Sequence, residues 1–122
     1  LRAGDPVMQA RRLLALGGVP TILEDLWLPG LSFKGLTASQ LAQYPGPTYA
    51  MFEADFGVRM VRATEKIRAV LPDPTQADLL QVPAGTPMLS VERVAYTYND
   101  APMELRRALY RTDSHHYRND LH

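Results

Sequence analysis

At alternate positions near the end of the chain, Glu104, Arg106, Ala108 and Tyr110 set an acid, a base and a phenol in a row. In an extended strand successive side chains point to opposite faces. These residues would therefore share one face, and Met103, Leu105, Arg107 and Leu109 the other. A carboxylate accepts hydrogen bonds, a guanidinium donates them from a rigid fork, and a phenol does both. With small Ala108 leaving space, the row reads as a polar floor for a ligand. A solvated sheet face is the commoner use of such a pattern, because charged residues are mostly exposed. If the apolar set packs on the core, Arg107 is its exception and belongs at an edge or a partner contact.

Glu24 is a second carboxylate expected inside a strand of the two hairpins. Buried acids need partners, and Arg12, Arg62 and Arg106 are the candidates. Glu24 and Glu104 have no activated nucleophile beside them. The chain has no phosphate loop, no Gly-rich dinucleotide fingerprint and no Gly-x-Ser-x-Gly elbow. His115 and His116 are adjacent, so in a strand they diverge, and His122 is terminal. No metal site and no cofactor is expected.

The elements that must hold these residues begin with a hairpin. Met88 to Tyr98 is rich in Val, Tyr and Thr, which suit a pleated strand. Asn99-Asp100 supplies the turn, and Met103 to Arg111 the returning strand. The chain says this twice: Gly4 aligns with Gly85, Pro6 with Pro87, Arg12 with Arg93, Leu13 with Val94 and, after one inserted residue, Pro20 with Pro102. The first copy gives strands Val7 to Leu16 and Thr21 to Leu28 around Gly17-Gly18. Two one-faced hairpins would sit side by side in one antiparallel sheet.

Between the copies, Thr37 can cap a helical turn running to Gln43, which Pro45-Gly46-Pro47 stops. Thr48 to Phe56 is a better helix, with Thr48 as its cap and Gly57 as its left-handed terminator. Tyr49, Phe52 and Phe56 form an aromatic stripe that reads as core. Val58 to Leu71 is expected as the longest strand. One side of it carries Arg62, Lys66 and Arg68; the other carries Val61, Ala63, Glu65, Ile67, Ala69 and Leu71 and suits packing under a helix. Pro72-Asp73-Pro74 opens a helix from Thr75 to Gln81. Its counterpart in the first copy would precede Leu1, so the domain reads as cut from something longer. Asp113 to Leu121 reads as a polar strand or tail. The class is α+β, a largely antiparallel sheet with short helices, built on two repeated hairpins.

Thirteen basic and thirteen acidic residues cancel among 122, so the chain lacks the basic excess of a nucleic-acid binder. No apolar run approaches a membrane span, no stretch resembles a signal peptide, and there is no cysteine. A cytoplasmic protein is expected.

The segments Pro20 to Pro29, Tyr49 to Gly57, Arg62-Ala63 to Ile67 and, most specifically, GTPMLSVERVAYTYNDAPMELRRALYR resemble the UTRA domain. This is the effector-binding half of the HutC subfamily of GntR-type bacterial transcription regulators, and the resemblance runs from Gly4 to about Leu121. It implies a chorismate-lyase-like α+β fold over residues 1–122, a pocket for a small metabolite, and a homodimer. It also implies a winged helix-turn-helix DNA-binding domain N-terminal to this chain, the sole route to DNA. Family ligand positions are matched by Arg12, Glu24, Glu104 and Tyr110. A Ser that opens the middle helix is replaced by Pro47 with Thr48 beside it. With Arg62 and Arg106 as the remaining partners, the expected ligand set is Arg12, Glu24, Thr48, Arg62, Glu104, Arg106 and Tyr110.

Members holding a phosphorylated sugar have a second Arg two residues after the first, where this chain has Leu14. Arg is the usual bidentate partner of phosphate. The expected effector is therefore a carboxylate, an amino-acid derivative or an unphosphorylated sugar. The resulting expectation is a non-enzymatic sensor domain of a transcriptional regulator, probing metabolite levels as a repressor. The alternatives are a chorismate-lyase-like enzyme and a domain that only dimerises around a vestigial pocket.

Overall fold

Val7–Leu16 (β1) and Val19–Pro29 (β2) form the first hairpin of the computed structural model, which describes residues 4–113 and 116–118. Gly17 and Gly18 turn the chain with φ of 60° and 80°, a region that side chains with a Cβ rarely enter. Met88–Tyr96 (β4) and Pro102–Tyr110 (β5) form the second hairpin, with Asn99 and Asp100 left-handed in its turn. Arg62–Val70 (β3) completes a five-stranded antiparallel sheet of order β1-β2-β5-β4-β3.

The sequence repeat is reproduced in the pairing. Arg12 lies opposite Glu24, and its counterpart Arg93 lies opposite Arg106. Each hairpin is bulged at the equivalent step, between Leu14 and Ala15 and between Ala95 and Tyr96. The inner strands β2 and β5 pair with each other and bring Asp25 opposite Arg107, which occupy the same position in the two copies. The hairpins therefore meet about a local two-fold axis, and their even-numbered β2 and β5 side chains face one way.

Three helices cover the sheet. Ala38–Gln43 (α1) starts from Thr37, whose side chain bonds Gln40 N–H while the Gln40 side chain returns to Thr37 N–H. Thr48–Phe56 (α2) ends at left-handed Gly57. Pro74–Leu80 (α3) uses the same reciprocal cap, Asp73 with Gln76. On one sheet face Leu26 and Leu28 pack with Phe33, Leu41, Met51 and Phe52. On the other, Leu23, Met88 and Leu109 pack against Leu80 of α3. Each of these large side chains, fully buried, contributes roughly 1.5–3 kcal/mol, an upper figure for an extended unfolded chain.

Two expectations are corrected, and two that left alternatives open are narrowed. Thr48 is the first residue of α2, not its cap; Pro47 precedes the helix without any side-chain bond. The strand expected from Val58 to Leu71 is shorter and lies at a sheet edge. Its apolar side is not under a helix: Ile67 and Leu71 are exposed, because that side shares the face of Glu65 and Arg93, where α1 and α2 pack against β1 and β2, while α3 packs on the opposite face. Arg107 is on an inner strand, not at an edge; it is exposed where α3 leaves the sheet uncovered. Residues 111–113 and 116–118 form no strand, and the rest of the expected tail lies outside the described residues, as do His115 and His122. No described helix is long and apolar enough to cross a membrane.

Candidate functional site

Alternation along β1, β2 and β5 puts Arg12, Glu24, Glu104 and Arg106 on the sheet face that α1 and α2 cover. The polar face is thus not the solvated one. Glu104 is 2% exposed, Glu24 4% and Arg12 7%. Ionised groups in such places must find partners, and these find each other.

Arg106 is the hub. Its Nη1 lies 3.1 Å from Glu24 Oε2, and its Nη2 lies 2.8 Å from Glu104 Oε2 and donates to Thr48 Oγ1 at 3.0 Å. Arg12 Nη1 is 3.8 Å from Glu24 Oε1, and Nη2 donates to the Tyr44 carbonyl at 3.1 Å, tying the β1 edge to the end of α1. From α2, the Tyr49 hydroxyl donates to Glu104 Oε1 at 2.7 Å. Arg93 Nη1 approaches that hydroxyl at 3.5 Å, and its Nε donates to Glu65 Oε2 at 2.8 Å. Tyr117 donates to Glu65 Oε1 at 2.7 Å. Positive and negative groups alternate along this row: Arg12, Glu24, Arg106, Glu104, Arg93, Glu65.

The row is not saturated. Arg12 Nε, Arg106 Nε and Glu24 Oε2 are buried without a hydrogen-bond partner. Arg106 sits near that Glu24 oxygen but lacks hydrogen-bond alignment. Buried polar atoms are nearly always satisfied, so two donors and one acceptor held together mark a place where a small polar molecule can bind. A cavity of about 270 Å³ opens at the end of β2 and β5, lined by Leu16, Thr21, Ile22, Tyr110 and Tyr117 among others; Arg12, Glu24, Glu104 and Arg106 do not line it.

Electrostatics follow from burial and pairing. Burial opposes the Arg106 charge, but Glu104 and Glu24 outweigh it and raise its pKa. Burial, then the charge of Glu104, pushes the Tyr49 phenol up to about 12. Burial and then Glu24 raise Tyr110. Burial also opposes ionisation of Glu65, yet the Tyr117 and Arg93 hydrogen bonds hold its pKa below the ordinary value. A phenol whose pKa is raised by folding stabilises the fold fully below its unfolded pKa, near 10. That stabilisation is lost as pH climbs through about 12. The loss attributable to Tyr49 is on the order of 2–3 kcal/mol by linkage. Urea unfolding of wild type and Tyr49→Phe between pH 9 and 12 checks this: the substitution should flatten the decline, and parallel declines would refute the role given to Tyr49.

Of the residues expected from sequence, Arg12, Glu24, Thr48, Glu104 and Arg106 come together, with Tyr110 at the margin. Arg62 does not join them. Its side chain is on the opposite sheet face, bonded to Asp100 and stacked 3.9 Å over Tyr96. Four participants were missed as site residues: Tyr49, Glu65, Arg93 and Tyr117. The repeat had paired Arg93 with Arg12, which was a usable signal; Glu65 and Tyr117 meet only through tertiary structure. No described residues form a cluster that could hold a metal ion.

A family model described as UTRA domain matches residues 1–116. The chain is 36% identical over 110 residues to the HTH-type transcriptional repressor PhnF of Mycolicibacterium smegmatis, covering 90% of this chain and 44% of the relative. Among solved structures, it superposes with a TM-score of 0.91 and 53% identity on the ligand-binding domain of a candidate GntR-family regulator from Bordetella bronchiseptica. That match spans 100% of this chain and 75% of the other. The effector domain of PhnF from Mycobacterium smegmatis superposes with a TM-score of 0.85 at 32% identity, over 100% of this chain and 74% of that one. The chain spans less than half the length of the curated relatives it matches.

Proposed function

The chain belongs to the UTRA domain family, and on that premise we propose that it senses a small metabolite for a transcriptional regulator. The observation that carries this reading is the buried row of charges in which Arg12 Nε, Arg106 Nε and Glu24 Oε2 lack hydrogen-bond partners. An effector accepting from the two guanidinium groups and donating to Glu24 would complete it. Arg12 would hold an anionic or hydroxyl group, Glu24 and Glu104 would accept hydroxyl or ammonium protons, and Tyr110 would close one wall.

Three guanidiniums against three carboxylates leave no surplus positive charge for a phosphate dianion. A hydroxyl donates and accepts at once, and an amino acid carries both charges. An unphosphorylated sugar, an amino-acid derivative or a simple carboxylate therefore fits the site best. DNA contact is assigned to a separate DNA-binding domain of a longer protein, acting in the cytoplasm as a repressor dimer. The effector changes the populations of dimer arrangements by binding them unequally. The named relatives are regulators, so a lyase-like activity is not part of this reading.

A thermal-shift screen with sugar phosphates, free sugars, amino acids and carboxylates tests it. A ligand at about 100 times its Kd stabilises by roughly 2.7 kcal/mol, a shift of several degrees for a domain of this size. A hit that disappears in Arg12→Ala, itself folded by circular dichroism, is expected. A hit retained in Arg12→Ala would remove that residue from the site, and silence in every class would favour a domain that only dimerises.

A further inference from the structure

Behind the charged row, on the α3 side of the sheet, an open cleft of about 320 Å³ crosses the middle strands. Its floor is apolar: Leu23 and Leu109 are cross-strand partners, and both are buried. Trp27 lines one side, with the Arg107 guanidinium 5.4 Å from its ring centroid. Arg11, Asp25 and Arg107 lie across the cleft in one cross-strand row. The chain neighbours Glu24 and Arg106 belong to the charged row, so cleft and row stand back to back on β2 and β5.

Hydrogen-bonding capacity in the cleft is one-sided. Its acid is occupied: Arg11 Nε and Nη2 donate to the two oxygens of Asp25 at 2.6 and 3.0 Å. Of the neighbouring acids, Glu92 accepts from Arg107 Nε at 3.1 Å, and Asp73 accepts from the Gln76 N–H in the α3 cap. Donors are left over. Arg11 Nη1, both Nη atoms of Arg107 and the side-chain NH₂ of Gln76 form no hydrogen bond among the described residues. These groups are solvated, and their preference shows in what displaces the water. An anion gains charge-assisted hydrogen bonds there, whereas a cation meets carboxylates that are already paired.

We propose that this cleft is a second ligand site, for a small carboxylate with an apolar body. The carboxylate accepts from the unused guanidinium atoms of Arg107 and Arg11, whose planar forks match its two oxygens. The body lies on Leu23 and Leu109 against the Trp27 indole. At about 320 Å³ the cleft is at the low end of ligand pockets, the size of a single ring or a short chain. The proposal goes beyond the sensing role of the charged row and does not depend on it.

Trp27 is the only tryptophan of the chain, so its fluorescence reports on the cleft directly. Benzoate is titrated into the domain, with benzamide as the probe that lacks the charge and acetate as the probe that lacks the body. Benzoate should give a saturable change, and the other two should bind about tenfold or more weakly. Arg107→Met keeps the apolar stem, loses the donors and should weaken benzoate by a similar factor. Its ion pair with Glu92 is exposed, so the variant folds. Arg12→Ala should leave benzoate affinity unchanged, and Glu24→Gln serves if Arg12→Ala does not fold. No saturable change with benzoate, equal affinity for benzamide or acetate, or unchanged affinity in Arg107→Met would overturn the proposal. Binding lost in Arg12→Ala but kept in Arg107→Met would overturn it too, by placing the carboxylate in the charged row. A metabolite screen that fails bears on the row alone, because the cleft is read through Trp27 and Arg107.

Discussion

Replacing Arg106 with alanine should cost about 3–5 kcal/mol of folding stability, the range for removing one partner of a buried ion pair. Arg106 is 17% exposed at its side chain and serves Glu24, Glu104 and Thr48 together. Its loss would leave two buried carboxylates. Glu24 would keep only the 3.8 Å approach of Arg12, and Glu104 only the Tyr49 hydroxyl. Desolvation decides the outcome, since the carboxylates stay buried while their nearest positive charge is gone. Arg106→Lys would retain charge without the fork that reaches three partners and should fall between. Arg107, the next residue, is the internal control. Its bond to Glu92 is solvent-exposed, so Arg107→Ala should cost under about 1 kcal/mol. Urea unfolding at neutral pH compares them. If Arg106→Ala matched Arg107→Ala, the charged row would hold too little energy to be the organising feature of that face.

The contrast between adjacent arginines shows what the sequence could convey. Alternation correctly separated Arg106 from Arg107 but could not say which face the helices would choose. The apolar run Met103, Leu105, Leu109 pointed to one face as the core. In fact both faces are covered, and the polar one more completely. Turns, the Thr37 and Gly57 helix ends and the repeat were readable because each depends on local chemistry; the Thr48 cap and the matched bulges were not. The edge position of β3 was not readable. Val61, Ile67 and Leu71 look like a packed face, and only the strand order reveals that no described helix lies over them. Arg62 failed as a site residue for the same reason: its face is set by the pairing of β3 with β4, which places Glu65, not Arg62, beside Arg93. Tyr49 was assigned to core by its helical spacing. Its ring does pack there, and the hydroxyl at its tip reaches the acid row. Aromatic spacing locates the ring but not what the polar tip meets.

Leu14→Arg should raise the domain's affinity for a phosphorylated sugar. Leu14 is two residues beyond Arg12 on the same face, and its cross-strand partner Ile22 lines the cavity. A guanidinium there would add the positive charge that the balanced row does not supply. Leu14 is half-buried and next to Leu16 and the hairpin end, so a long side chain can reach the cavity with its stem on apolar surface. A charge-assisted, bidentate contact to phosphate contributes roughly 1.5–3 kcal/mol, or about ten- to a hundredfold in affinity. Thermal shifts with glucosamine 6-phosphate and with glucosamine separate charge from sugar: the variant should respond to the first more than wild type does. Equal responses of both proteins to the phosphate would mean that Arg12 and Arg106 already accommodate a dianion, and the neutrality argument would fall. A variant that still binds whichever uncharged ligand the screen identifies, yet ignores the phosphate, would place the effector's polar end away from β1. The cavity end near Tyr110 and Tyr117 would then bind the rest of the molecule, and Arg12 would act through Glu24 instead of touching the effector.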